Sequence, residues 1–325
     1  MKARILGAGA GGAFPQWNSN AEGCRRARAG DPAAKPRTQA SLAVSADGER
    51  WFLLNASPDI RQQIEATPQL QPRHGLRSSP IAGVALTGGD VDAIAGLLTL
   101  RERQPFTVYA TARVHEVLKA NPIFNVLAPG VVGRQPLPLG QAQPLLTPEG
   151  ERSGLTLELF AVPGKVPLYL EQAEGTPPIV LGEDTVGAHL SDGRTGLYYI
   201  PGCAAMTEDL ARRLRGADTV LFDGTLWRDD EMIRAGLGGK TGRRMGHMSM
   251  SGPEGSIAAF AGLDVKRKVF VHINNSNPAL LGTSAERKAA EQADEAGDVV
   301  TADMLTDRLT FHEKALWMLR AIIAE

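Results

Sequence analysis

Short apolar runs alternate with polar or glycine-rich turns along most of this chain, and several runs end in an acidic residue or a histidine. Period and residue type predict strands at 2–6, 36–45, 51–59, 81–86, 106–110, 155–162, 178–181, 196–200, 219–223, 269–272 and 309–311. Helices are predicted at 60–65, 113–119, 207–215, 255–261 and 313–324, with another starting at Asp92. This alternation favours an α/β fold in which two sheets pack as a sandwich.

The segment 81–101 contains the most informative of these strand ends. Its apolar strand runs into Gly88 and Gly89, which permit a sharp turn, and then into Asp90 and Asp92. Two carboxylates so close together repel each other unless a cation, a lysine or solvent compensates their charge. A metal ligand pair and a solvated turn that caps the next helix are both consistent with this segment.

Two later strands end in the same way. Asp223 ends the apolar run 219–223 and is followed by glycine, and His272 ends the run 269–272 before an Asn-rich loop. Carboxylates and imidazoles at the ends of buried strands are well placed to share one metal ion. Because Asp223 repeats the arrangement of Asp90 and Asp92, we favour a shared site over three separate turn caps.

Basic residues and one further histidine lie in loops. The loop 240–247 carries Lys240 and Arg243 and ends in His247, just before a predicted helix. Lys165 follows a Pro-Gly pair at the end of the strand 155–162. A lysine at that position can neutralise nearby aspartates or hold a substrate carboxylate, but it is equally consistent with an ordinary surface residue.

The glycine-rich segment 7–12 formally matches the dinucleotide fingerprint G-x-G-x-x-G. That fingerprint requires a helix directly afterwards, whereas residues 14–18 (FPQWN) predict irregular chain. We therefore expect these glycines to let the backbone pass close to another segment or to a substrate.

Composition excludes several classes of protein. The 325 residues show no linker, so we predict a single domain, 1–325, with 303–325 as a C-terminal strand and helix extension. The 35 Lys and Arg nearly balance 36 Asp and Glu, which argues against nucleic acid as a partner. No apolar run is long enough for a membrane span, and no signal peptide is evident. With only two cysteines, a cytoplasmic location is expected.

Several motifs together resemble a known family. The segment 86–97 resembles the metal loop of the metallo-β-lactamase fold, with Gly88, Asp90 and Ala93 where that loop has histidines and Asp92 at its aspartate. Longer runs resemble the pyrroloquinoline quinone (PQQ) biosynthesis protein B family: GGAFPQWN at 11–18, PRTQ at 36–39, LNASPDIR at 54–61, VPGKVPL at 162–168, YIPGCA at 199–204, FDGT at 222–225, KTGxRMGH at 240–247 and VHINNSNP at 271–278.

The resemblance implies a fold and a chemistry. The expected fold is a four-layer αβ/βα sandwich of two mixed β-sheets flanked by helices. The expected activity is an Fe(II)-dependent hydroxylation that uses O2 as co-substrate and acts on the tyrosine of a Glu-Tyr unit from a small precursor peptide. Zn²⁺ is an alternative occupant in purified protein. Other PQQ biosynthesis proteins are expected partners, and a homodimer is compatible with this assignment.

Residue by residue, the resemblance implies roles for the strand-end and loop residues. Asp92, Asp223 and His272 become metal ligands with Asp90 adjacent, and His247 becomes an acid or base beside the metal. Three basic residues are expected to pair with substrate carboxylates, and they are Lys165, Arg243 and Lys240.

The chain also departs from the family pattern. Ala93 stands where the family has a metal-binding histidine. Ser19 and Ala21 replace two cysteines of a Cys-x-Cys-x-x-Cys zinc knuckle, of which only Cys24 is present, so we expect no structural zinc. These departures keep two other functions open. One is a carrier that binds the PQQ precursor or product without catalysis, and the other is a metal-dependent hydrolase, although Gly88 and Asp90 lack its two-metal histidine pair.

Overall fold

A computed structural model describes residues 1–171, 179–295 and 299–301. Its strands are β1 Lys2–Gly7, β2 Ser41–Ser45, β3 Trp51–Leu54, β4 Ile81–Ala85, β5 Phe106–Ala110, β6 Val132–Pro136, β7 Gln143–Leu146, β8 Arg152–Gly164, β9 Val180–Ser191, β10 Gly196–Ile200, β11 Thr219–Asp223, β12 Lys268–Val271 and β13 Val299–Thr301. Its α-helices are α1 Glu22–Arg28, α2 Ile60–Glu65, α3 Val91–Ile94, α4 Ala112–Ala120, α5 Glu208–Leu214, α6 Glu231–Arg234, α7 Gly242–Met245, α8 Ser256–Phe260 and α9 Ala285–Glu295.

The strands form two mixed sheets. The first has six strands in the order β1-β2-β3-β4-β5-β6, and the second has seven in the order β13-β12-β11-β10-β9-β8-β7. In each sheet, one half is an antiparallel meander and the other half is parallel. Because parallel strands present their carboxyl ends at one edge, the turns after β4, β11 and β12 are free to carry functional side chains.

Buried apolar side chains form three layers of core. One cluster lies between the sheets and joins Leu42 and Phe52 of the first sheet to Leu157 and Leu221 of the second. The other two clusters pack helices onto the outer sheet faces. They place α2 and α4 on the first sheet, and α1, α5 and α8 on the second. The molecule is therefore a four-layer αβ/βα sandwich, as expected from the resemblance.

Most predicted elements are present, with informative exceptions. Residues 22–28, for which the sequence pattern predicts no helix, form α1, because Cys24 and Ala27 give this basic segment one buried face. The short strand predicted at 178–181 is in fact β9, twelve residues long and paired with β8 and β10. The sequence pattern also predicts none of β6, β7, β13, α6, α7 and α9. The predicted strand 309–311 and helix 313–324 lie outside the described residues.

The glycine-rich segment 7–12 lies against other backbone. A Cβ on Gly7 would stand 2.3 Å from the carbonyl oxygen of Gln39, and Gly9 forms bridges with both Gln39 and Ile273. The next helix, α1, begins ten residues beyond this segment. The segment is therefore not a dinucleotide-binding fingerprint, because that fingerprint requires a helix directly after its glycines. Among the described residues, no helix is long and apolar enough to cross a membrane.

Candidate metal centre

The chain segments after three strands, one in the first sheet and two in the second, deliver acidic residues and a histidine to one place. Asp92 follows β4 in the first sheet, Asp223 ends β11, and His272 comes directly after β12 in the second sheet. β11 and β12 are parallel neighbours that align Asp223 with Val271. Asp92 and His272, which are 180 positions apart, meet with Oδ2 of the aspartate 2.7 Å from Nε2 of the histidine.

Asp223 is the most deeply buried acid of this site. Its side chain is fully buried, and both carboxylate oxygens accept hydrogen bonds. Oδ2 accepts from the backbone N–H of Cys203 at 2.9 Å and lies 2.6 Å from Nδ1 of His247. Oδ1 accepts from the backbone N–H and the hydroxyl of Thr225 at 3.0 and 2.6 Å. These contacts fix the carboxylate in one orientation.

His272 is held in an unusual backbone conformation. Its φ of +58° lies in the left-handed region, which a residue other than glycine adopts only when the surroundings impose it. The neighbouring chain imposes this conformation through two backbone hydrogen bonds. The N–H of Ile273 donates to the carbonyl oxygen of Ala8, and the carbonyl oxygen of Ile273 accepts from the N–H of Ala10. Nδ1 of His272 contacts the Thr225 hydroxyl at 2.8 Å, which leaves Nε2 facing Asp92.

Asp223, His247 and His272 form a cluster of donor groups. One ligand atom from each lies within 4.8 Å of the others, and the two imidazole rings stack with centroids 5.2 Å apart. Asp92 adds a second carboxylate beside His272. We refer to Asp92, Asp223, His247 and His272 as the donor cluster. Two imidazoles with carboxylates are a donor set that suits Fe(II) and Zn²⁺.

Opposite charges stabilise one another within the donor cluster. Burial disfavours the charge on Asp92, but hydrogen bonding and attraction from His272 outweigh it and hold the pKa of Asp92 below its usual value. Burial likewise opposes ionisation of Asp223, yet His247, His272 and Thr225 lower its pKa. The pKa of His272 is raised despite burial, because Asp92, Asp223 and Asp90 surround it. A cation is thus favoured among these carboxylates.

Asp90 behaves differently from Asp92. Burial and the neighbouring negative charge of Asp92 raise the pKa of Asp90, and Lys165 only partly offsets this. Its Oδ1 accepts a 3.3 Å hydrogen bond from the backbone N–H of Leu168. Asp90 lines the same cavity as Asp92, His247 and His272, and like Asp92 it is outside the group of three residues whose donor atoms lie within 4.8 Å of one another. Its assignment as a metal ligand remains a prediction.

Two cavities meet at His247. The smaller, of about 170 Å³, is lined by Asp90, Asp92, Ala93, Lys165, His247 and His272 among others. The larger, of about 1160 Å³, has His247 in its wall together with Arg243 and Arg244. A ligand in the larger cavity therefore has access to the donor cluster across the imidazole of His247.

The predicted basic residues occupy three different environments. Lys165 lines the smaller cavity, and its Nζ lies 2.8 Å from Oε1 of Glu171. Arg243 lines the larger cavity, but its side chain is 78% exposed and pairs with Glu254 at 3.4 Å. Lys240 is exposed and lines neither cavity. Their roles in substrate binding remain predictions.

Arg244 is the basic residue that sequence reasoning missed. Its Nη2 contacts Glu171 at 3.0 Å, and its side chain is only 24% exposed. Neighbouring residues of an α-helix point about 100° apart, so Arg243 and Arg244 of α7 face different surroundings. One signal was available, because the quoted motif KTGxRMGH specifies arginine at 244 and leaves 243 open.

The two departures from the family pattern lie at different places. Ala93 is buried and lines the smaller cavity beside Asp92. Cys24 lies in α1, where its Sγ is 3.8 Å from Oδ1 of Asn275, whereas Ser19 lies in the loop before this helix. Arg28 binds this loop by donating to the carbonyl oxygen of Ser19 at 2.6 Å. The expected lack of a structural zinc remains a prediction, and these contacts show what holds the loop in its place.

Known proteins place the chain in a family. Residues 50–273 match the family described as "Beta-lactamase superfamily domain". Coenzyme PQQ synthesis protein B of Gluconacetobacter diazotrophicus is 63% identical over 289 residues, which cover 89% of this chain and 94% of that protein. The same protein of Methylobacterium nodulans is 56% identical over 295 residues, covering 90% and 96%. This chain belongs to the coenzyme PQQ synthesis protein B family.

A solved structure of the PQQ synthesis protein B family supports the fold. The crystal structure of Zn²⁺-bound PqqB from Methylobacterium extorquens matches with a TM-score of 0.87 at 53% identity, covering 93% of this chain and 98% of that one. The metallo-β-lactamase-type sandwich expected for the PQQ synthesis protein B family is therefore confirmed.

Proposed function

We propose that this protein acts in PQQ biosynthesis as an Fe(II)-dependent hydroxylase of the tyrosine in a Glu-Tyr-type precursor. Family membership supports the pathway, since the relatives are named for synthesis of coenzyme PQQ. The donor cluster supports the metal dependence and is the single observation that carries the proposal. Other PQQ biosynthesis proteins are the proposed partners, and the cytoplasm is the proposed location.

The residues present fit a metal ion. In our assignment Asp92, Asp223 and His272 hold it, and His247 lies beside it with Nδ1 on the Asp223 carboxylate. Fe(II) bound there would supply the redox chemistry that uses O2 for ring hydroxylation. Zn²⁺, the ion named for the related PqqB, suits the same donors without redox chemistry, so purified protein can carry it in place of iron.

His247 is the proposed proton-transfer residue. A carboxylate on Nδ1 orients the imidazole and directs Nε2 away from Asp223, as a buried acid does for a catalytic histidine. His247 also forms part of the wall of both cavities, so its free nitrogen is accessible to a ligand in either. Its role is to take or give the proton that moves when the substrate ring is hydroxylated.

Iron content tests the proposal. The full chain is purified without chelator, loaded anaerobically with Fe(II), and analysed for bound iron beside Asp223→Ala. Asp209→Ala, at an exposed aspartate in α5, is the matched control. We expect near-stoichiometric iron in the wild type and in the control, and loss of iron in Asp223→Ala. The iron-loaded wild type should then add oxygen to a Glu-Tyr peptide. Wild-type iron no higher than in Asp223→Ala would overturn the hydroxylase and favour the carrier.

A further inference from the structure

Of the donor cluster, only His247 lines the larger cavity, and two arginines line it as well. Arg243 and Arg244 are neighbours in α7, but the structure treats them differently. The Arg243 side chain is 78% exposed and pairs at 3.4 Å with Glu254, whose side chain is 86% exposed. The Arg244 side chain is 24% exposed and is anchored on Glu171.

Arg244 belongs to a chain of three charges that joins the two cavities. Glu171 contacts Nη2 of Arg244 at 3.0 Å with one oxygen and Nζ of Lys165 at 2.8 Å with the other. The hydrogen bond from Arg244 and, to a smaller extent, that from Lys165 lower the pKa of Glu171 to about 2, although burial opposes its ionisation. One carboxylate therefore faces two cations, and the three side chains carry a net charge of +1.

One nitrogen of the Arg244 guanidinium makes no hydrogen bond within the described chain. Its Nη1 is buried and has no hydrogen-bond partner among the residues that the structure describes. A buried donor without an acceptor is costly, and guanidinium donors prefer carboxylate or phosphate oxygens. Nη1 is therefore a vacant donor on a side chain of the larger cavity.

The other charged groups of this cavity already have hydrogen-bond or ion-pair partners. Asp229 accepts a 2.7 Å hydrogen bond from the backbone N–H of Arg243, and Glu254 pairs with the Arg243 side chain. His247 is engaged with Asp223 through Nδ1. The described side chains that line the cavity therefore carry two positive charges, on Arg243 and Arg244, and two negative charges, on Asp229 and Glu254, and Arg244 is the one of these four with a buried donor that has no partner.

We propose that the guanidinium of Arg244 binds a carboxylate of the substrate in the larger cavity by turning its buried, unpaired Nη1 towards the ligand, with Glu171 and Lys165 holding the rest of the group in place. A ligand anchored there extends along His247 towards the donor cluster, because His247 lines both cavities. This inference rests on the proposed function for its substrate, and it makes Arg244, rather than Arg243, the residue that selects acidic precursors.

Peptide binding without turnover tests the role of Arg244. Anaerobic calorimetry of the full chain measures the affinities of Glu-Tyr and of Gln-Tyr-amide, which has the same size but no carboxylate. We expect the wild type to prefer Glu-Tyr by about 10- to 100-fold, the range of one charge-assisted hydrogen bond. Arg244→Met should abolish this preference, Arg244→Lys should restore part of it, and Arg243→Met should leave it unchanged.

Because the readout is a ratio of two affinities in one variant, a general loss of stability does not imitate the effect. A preference that survives in Arg244→Met, or that disappears equally in Arg243→Met, would overturn the inference even if iron loading succeeds. Failure of the wild type to bind either peptide would overturn it together with the proposed substrate. Intact discrimination without any hydroxylation would support the inference and reject the hydroxylase.

Discussion

Nδ1 of His247 lies 2.6 Å from Oδ2 of Asp223, although the two residues are 24 positions apart and belong to a loop and a strand end. This contact joins a proposed proton-transfer group to a proposed metal ligand. We predict that His247→Gln keeps its iron and lowers the rate of hydroxylation about 100- to 10,000-fold, the range for loss of an acid or base. Iron analysis and single-turnover kinetics on the same sample separate the two roles. Loss of iron in this variant would instead make His247 a ligand.

Thr225 connects the donor cluster through one hydroxyl, which contacts Asp223 at 2.6 Å, His272 at 2.8 Å and His247 at 3.1 Å. Thr225→Val keeps the shape and removes these contacts. We expect the free energy of unfolding to fall by about 1–3 kcal/mol, since buried polar partners lose their hydrogen bonds. Metal affinity should fall about 10- to 100-fold. Urea unfolding and metal titration measure both effects, Thr225→Ser is the control, and unchanged metal affinity would contradict a supporting role.

Ala93 lines the smaller cavity where related proteins are expected to place a metal-binding histidine. We predict that Ala93→His tightens Fe(II) binding roughly tenfold, about 1.4 kcal/mol, by adding an imidazole beside Asp92. Competition with a chelator of known affinity measures this gain. The larger side chain at a position only 6% exposed should also lower stability by about 1–3 kcal/mol. Weaker iron binding in a folded variant would show that position 93 does not face the metal.

Gly96 allows the metal-loop segment to pack against the turn after β3. A Cβ at this position would stand 2.2 Å from the carbonyl oxygen of Ser57, and the Gly96 N–H donates to Ala56 at 2.8 Å. Gly96→Ala should therefore lower the free energy of unfolding by about 2–3 kcal/mol, because backbone must move. Gly239→Ala, where a Cβ meets nothing within 4 Å, is the control in the same urea titration. Equal stability of the two variants would refute this contact.

Glu171 should make the stability of the protein sensitive to acid. Arg244 and Lys165 lower its folded pKa from 4.5 to about 2, so this stabilisation is fully present above pH 4.5 and is lost as the pH falls towards 2. Glu171→Gln should thus be less stable than wild type at pH 7, by a margin that shrinks between pH 4.5 and 2. Urea unfolding at several pH values measures the margin, with exposed Glu102→Gln as control. A constant margin would contradict the ion pairs.

Local sequence determined much of the fold and the identity of the site. Apolar periodicity located strands such as β4 and β11, because a buried strand needs consecutive apolar residues whatever surrounds it. The same runs showed that Asp223 and His272 end their strands and that Asp90 and Asp92 lie in the turn after theirs. Because Asp223 repeats the arrangement of Asp90 and Asp92, sequence alone supported a shared centre, and the quoted motifs supplied its family.

Tertiary structure decided which side chains meet. Thr225 acquired its role only when β11, β12 and the loop of His247 came together, since its hydroxyl contacts not only Asp223, two residues away, but also His247 and His272, which are 22 and 47 positions away. The choice between Arg243 and Arg244 depended on the direction of each side chain from one short helix. Glu171, which fixes Arg244, lies 73 positions away from it. Composition and spacing name the chemical groups, whereas packing determines the distances between them, and those distances decide the function.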